Sequence, residues 1–98
     1  MIRIIDGRGT GKTSRLMLLA KENNALFVCN DPHAMQYKAE RYGITDLTFV
    51  SYTDFLNLNY EENVFTTVVV DEIDNLLQLV VRPLRLVGYT ISADDWFL

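Results

Sequence analysis

Two short stretches of this chain carry residues whose types and spacing suit chemistry on a phosphate ester. The first is Asp6-Gly7-Arg8-Gly9-Thr10-Gly11-Lys12-Thr13-Ser14. Glycines at alternate positions let a backbone curl into a nest of N–H groups that faces phosphate oxygens, and a helix starting there adds the positive end of its dipole. In such a loop Lys12 reaches the β- and γ-phosphates, and the Thr13 hydroxyl is a ligand for Mg²⁺. The predicted phosphate-binding set is Gly7, Arg8, Gly9, Thr10, Gly11, Lys12, Thr13 and Ser14. The motif G-x-x-x-x-G-K-[ST] has glycine where this chain has Asp6, which predicts an altered turn out of the preceding strand. The competing reading is a glycine-rich turn with an exposed lysine.

The second stretch is Val68-Val69-Val70-Asp71-Glu72, an apolar run that ends in carboxylates. At the carboxyl end of a parallel strand, Asp71 is placed to hold Mg²⁺ through water and Glu72 to polarise an attacking water. Glu72 and Lys12 are the predicted catalytic pair, and Thr13 with Asp71 the predicted metal ligands. Without the loop, the same carboxylates would read as the start of a helix, favoured there by its dipole.

These residues need strands and helices to position them. Ile2–Ile5 is a brief β-branched run, and Thr13–Asn23 has apolar residues at helical spacing with an exit at Asn23-Asn24. Ala25–Cys29 reads as a second strand. Asp31-Pro32 supplies a helix cap with proline at the first helical position, and Gly43 ends that helix. Leu47–Val50 reads as a third strand, and Ser51 with Asp54 as a capping box for a short helix reaching Leu58. Asn57–Asn63 is polar and reads as a loop. Phe65–Val70 is the strongest strand signal, Glu72–Val81 reads as a helix that Pro83 stops, and Leu86–Ile91 reads as a fifth strand. Short apolar runs alternating with helical segments mean parallel pairing with both faces covered. The predicted fold is α/β, a doubly wound, mainly parallel five-stranded sheet with flanking helices, in a single domain over residues 1–98.

Composition agrees with one small folded domain. For a chain of 98 residues and 11.3 kDa, surface scaling predicts that roughly 65% of the unfolded surface is buried. A single cysteine, Cys29, excludes an internal disulfide and fits a reducing compartment. Nine Lys and Arg against 13 Asp and Glu give a net charge of −4, which disfavours a direct grip on a nucleic acid backbone. No apolar run approaches the ~18 residues of a membrane span, and the polar start does not read as a signal peptide. A cytoplasmic protein with no membrane contact is expected.

Taken together, the loop and Val-Val-Val-Asp-Glu resemble the Walker A and Walker B elements of P-loop NTPases. The adjacent glutamate is similar to the additional-strand, catalytic-glutamate division. Further pieces resemble the first RecA-like lobe of superfamily-two helicases and of phage terminase large subunits. Gly7–Thr13 is similar to the terminase loop, Phe27–Pro32 to the helicase strand-then-proline motif, and Phe49–Leu56 to the strand-to-helix element that follows. Tyr89-Thr90-Ile91-Ser92-Ala93 resembles the strand that couples hydrolysis to movement, although Asp94 stands where helicases commonly continue with threonine. The resemblance implies binding of ATP with Mg²⁺ and a weak or partner-dependent ATPase linked to nucleic-acid processing, touching nucleic acid only indirectly. A protein partner or a second copy would complete the site. The alternative is a non-catalytic interaction module that binds a replication or packaging protein.

Other residues have plainer readings beside the chemical ones. Cys29 closes an apolar strand and reads as a structural thiol. His33 sits in a helical first turn and reads as a surface residue. Arg82 and Arg85 flank Pro83 and read as solvated, or as fingers for a neighbour's phosphate. Tyr52, Tyr60 and Tyr89 read as core or rim residues before base-stacking ones. Trp96-Phe97-Leu98 reads as a tail folded back on the domain, with docking on a partner as the other possibility.

Overall fold

The computed structural model describes residues 1–5, 7, 9 and 11–92. Helix α1 (Lys12–Asn23) leads through Asn24 and Ala25 into strand β1 (Leu26–Cys29). Helix α2 (Pro32–Tyr42), strand β2 (Phe49–Ser51), helix α3 (Tyr52–Leu56), strand β3 (Val68–Val70) and helix α4 (Ile73–Val81) follow.

The helix ends follow local chemistry. Asp31 accepts a hydrogen bond from the Ala34 N–H at 3.2 Å, with Pro32 behind it, and Gly43 closes α2 at φ 71°. Ser51 accepts from the Asp54 N–H at 3.1 Å and starts α3. Asn24 takes the left-handed conformation, φ 52°, and ends α1. Each cap satisfies backbone groups that a helix leaves unpaired at its ends.

Among the described residues the strands form one parallel sheet in the order β2-β1-β3. Phe27 lies opposite Phe49 and Val69, and Val28 opposite Val50 and Val70. All four residues of β1 are buried. Successive side chains point to opposite faces, which splits the core in two. Phe27 and Cys29 pack with Met17 and Ala20 of α1 and with Met35 and Ala39 of α2. Leu26 and Val28 pack with Tyr52 of α3 and Leu76 of α4 on the other face. Phe27 meets Phe49 edge-on, ring centroids 5.0 Å apart. No described helix is long and apolar enough to cross a membrane.

The sheet has three strands, which overturns the five-stranded, doubly wound expectation. Ile2–Ile5 takes no regular structure, and Ile5 is mostly exposed. Leu86–Ile91 also stays irregular. The cause there is visible: Gln78 of α4 donates to the Leu84 carbonyl at 2.8 Å and accepts from the Leu86 N–H at 2.8 Å. Its amide takes the first N–H of the run and a carbonyl just before it, and Gly88 adds no side chain for a sheet to pack. The remaining differences are trims at element ends. Phe65–Val70 shortens to Val68–Val70, and the third helix stops at Leu56.

Candidate functional site

The path of the chain gives one point of the sheet the connectivity at which α/β folds form a crevice. From β1 the chain leaves to α2, which packs on the Phe27 face, and from the neighbouring β3 it leaves to α4, which packs on the Val28 face. Adjacent parallel strands whose connections diverge open a gap at their carboxyl ends, where α/β sheets bind ligands. Asp71 and Glu72 follow directly after β3 at this gap, and the Asp71 N–H extends the ladder by donating to the Val28 carbonyl at 2.9 Å.

Helix α1 delivers the lysine to the same place. Joined to the start of β1 by a short turn, α1 runs back along the sheet and ends with its N-terminus at the carboxyl edge. Lys12 Nζ lies 3.1 Å from Glu72 Oε1, with the lysine side chain 25% exposed and the glutamate 44%. Residues sixty positions apart in sequence, both assigned from motif alone, therefore share one ion pair.

Two described glycines before Lys12 take a backbone that other residues rarely adopt. Gly9 and Gly11 sit at φ 76° and 77°, the left-handed region that favours glycine. A Cβ placed on Gly7 or Gly9 would meet nothing within 4 Å, so the space beside them is open. The α1 N-terminus has no side-chain cap from Gly11 and no acidic residue in its first turn. Helices α2 and α3 are capped by Asp31 and Ser51. The first turn of α1 thus keeps positive polarity with no carboxylate of its own to neutralise it. Thr13 is half-buried in that turn, while the Ser14 hydroxyl donates to the Gly11 carbonyl at 2.9 Å. Arg8 and Thr10, with Asp6, lie outside the described residues, as does the tail from Ala93 through Trp96 to Leu98.

Burial chiefly pushes the Asp71 carboxyl above its usual range; the neighbouring Glu72 charge adds to this, and Lys38 and Lys12 pull it back. A partly desolvated carboxylate beside another carboxylate gains from a cation. Among the described residues no group of three or more His, Cys, Asp or Glu could hold a metal. A hydroxyl and a carboxylate are the kind of oxygen donors Mg²⁺ takes, one or two from protein with water and phosphate completing its shell. The residues present are Thr13 and Asp71.

Two participants were not assigned from the sequence. Tyr52, buried at the start of α3, donates its hydroxyl to the Asp71 carbonyl at 2.6 Å and lies 3.3 Å from the Glu72 carbonyl. Burial, then the Asp71 charge, pushes its phenol up to about 12, so it stays a donor. Lys38 of α2 is the second, through its charge on Asp71. A tyrosine directly after a strand-ending, helix-capping serine was the available signal for Tyr52. Lys38 left none.

Other candidates lie apart from the crevice or are inert. Cys29 is fully buried, and burial first, then Asp71 and Asp31, pushes its thiol up to about 11, which leaves it a protonated core residue. Arg82 caps the far end of α4 from Glu72, about 15 Å along the helix axis. A hollow of about 610 Å³ runs along the outer edge of β2, lined by Phe49, Tyr60, Phe65 and Asp54 among others. It contains no lysine or arginine, and neither Lys12 nor Glu72 lines it.

Compared with known proteins, the chain matches no family model, no curated protein and no solved structure. The functional reading rests on the loop, the carboxylates and their meeting at the crevice.

Proposed function

We propose that this protein binds a nucleoside triphosphate, ATP with Mg²⁺, at the carboxyl edge of its sheet. The observation that carries the reading is the Lys12–Glu72 contact of 3.1 Å at the diverging ends of β1 and β3. Backbone N–H groups of Gly7 to Gly11 would hold the phosphates, Lys12 would neutralise them, and Thr13 and Asp71 would hold Mg²⁺. Glu72 would orient water for a slow hydrolysis. Phosphoryl transfer is mainly positioning and charge stabilisation, and a cationic finger raises it by a factor on the order of 10³–10⁵. Arg82 stands too far along α4 to act within its own chain, so rapid turnover would need a partner or a second copy.

The test is thermal. A ligand bound only to the folded state at a hundredfold excess over Kd stabilises by about 2.7 kcal/mol. Millimolar ATP with Mg²⁺ is expected to raise Tm, and Lys12→Ala to remove most of the shift. The non-catalytic interaction module is the second reading, favoured by the exposed apolar side chains of Leu84, Val87 and Ile91. Absence of any shift in the wild-type protein would leave that reading in place.

A further inference from the structure

Glu72 is the residue where the crevice departs most from an unstrained turn. Its backbone sits at φ 53°, ψ 63°, a left-handed conformation that costs a side-chain-bearing residue energy. The surroundings hold it there: Tyr52 bonds the Asp71 carbonyl at 2.6 Å, the Asp71 N–H is tied to Val28, and the Asn75 N–H donates to the Glu72 carbonyl at 2.9 Å. With its backbone held on both sides, Glu72 has its side chain as the main freedom left, and that side chain ends 3.1 Å from Lys12 Nζ.

We infer that the Lys12–Glu72 pair is a latch, which a nucleotide's polyphosphate opens by displacing Glu72 from the lysine. This inference deepens the nucleotide-binding reading and rests on it. A carboxylate offers the ammonium one negative charge, whereas a nucleotide's phosphates offer several, together with the α1 dipole and the loop amides that Glu72 does not use. Once phosphate holds Lys12, the same charge repels the Glu72 carboxylate, which turns toward water while its backbone stays held. The pair therefore does two things. It keeps Glu72 engaged until phosphate takes the lysine, and it sets ligand affinity below what Lys12 alone would give.

The consequence runs opposite to the usual effect of removing a binding-site residue. Glu72→Gln frees Lys12 and takes away a competing charge, so it tightens nucleotide. A partly exposed ion pair and one nearby charge predict a Kd lower by about three- to tenfold. ADP is the probe, since it excludes hydrolysis, titrated calorimetrically with and without Mg²⁺. Glu72→Gly is the companion variant: glycine accepts the left-handed backbone, so the fold survives without the carboxylate. Asp74→Asn is the control, removing one charge from the first turn of α4 without touching the pair.

Both Glu72 variants binding ADP more tightly, with Asp74→Asn unchanged, supports the latch. Equal or weaker binding by both Glu72 variants, while the wild-type protein binds ADP, overturns the latch and leaves the nucleotide reading standing. Tightening by Asp74→Asn to the same degree overturns it in favour of a general charge effect. No binding by any of the four proteins removes the nucleotide reading and the latch with it.

Discussion

Leu26–Cys29 and Leu84–Ile91 are both apolar runs rich in the residues that strands favour, yet they end in opposite environments. Phe27 and Val28 are 0% exposed, whereas Leu84 is 73% and Val87 86% exposed. The difference is cover. Strand β1 has a strand on each side, α1 and α2 over one face, and α3 and α4 over the other. The outer run follows α4 directly, and that helix's Gln78 takes its backbone groups. Strand preference is largely a measure of how well a residue fits a covered, pleated surface. An apolar run becomes a strand only where neighbours supply that surface.

The strongest way to break this comparison is to truncate one apolar side chain to alanine in each run. Phe27→Ala is expected to cost about 3–5 kcal/mol, a large part of the ~5–15 kcal/mol that holds a domain together. Val87→Ala is expected to stay within about 0.5 kcal/mol. Urea unfolding of the two variants decides it, and a comparable loss at Val87 would mean that the outer run is packed in solution.

A smaller effect comes from proton linkage inside β1. The Cys29 thiol has its ordinary value of 9.0 in the unfolded chain and is pushed up to about 11 in the folded one. Below pH 9 both states keep the proton, so the folded state loses nothing. Above it the unfolded chain ionises while the folded protein does not, and stability falls until about pH 11, by up to about 2 kcal/mol. Tyr52, raised from 10.0 to about 12, extends the loss to higher pH. Cys29→Ala should flatten the fall between pH 9 and 11 in a series of melting curves. No cysteine in the outer run can give it a like dependence.

The smallest expected effect sharpens the comparison from the other side. Gln78→Ala removes both bonds to the 84–86 backbone, and faster amide exchange at Leu86 should follow, with global stability lowered by no more than about 1 kcal/mol. Undiminished protection of Leu86 would show that something other than Gln78 keeps the run in place.

The candidate residues could be named before any fold was known. Lys12, Thr13, Asp71 and Glu72 stand out because phosphate and Mg²⁺ chemistry demands those types in that order along the chain. The caps at Asp31, Ser51, Asn24 and Gly43 were equally legible, since each acts on backbone groups within a few residues. Tyr52 and Lys38 were not. The serine before Tyr52 marked its position but not its bond to a carbonyl nineteen residues away, and a lysine that acts on Asp71 through space left no local pattern.

The sequence by itself determined where helices begin and end, which apolar runs favour extension, and which residues are candidates for phosphate chemistry, because those properties depend on neighbours along the chain. Tertiary structure decided the rest. It chose three of five candidate runs as strands, since pairing depends on partners and cover that only the packed molecule supplies. It also brought Lys12 to Glu72: α1 runs back along the sheet and the connections from β1 and β3 diverge, so two ends of the chain's chemistry meet 3.1 Å apart.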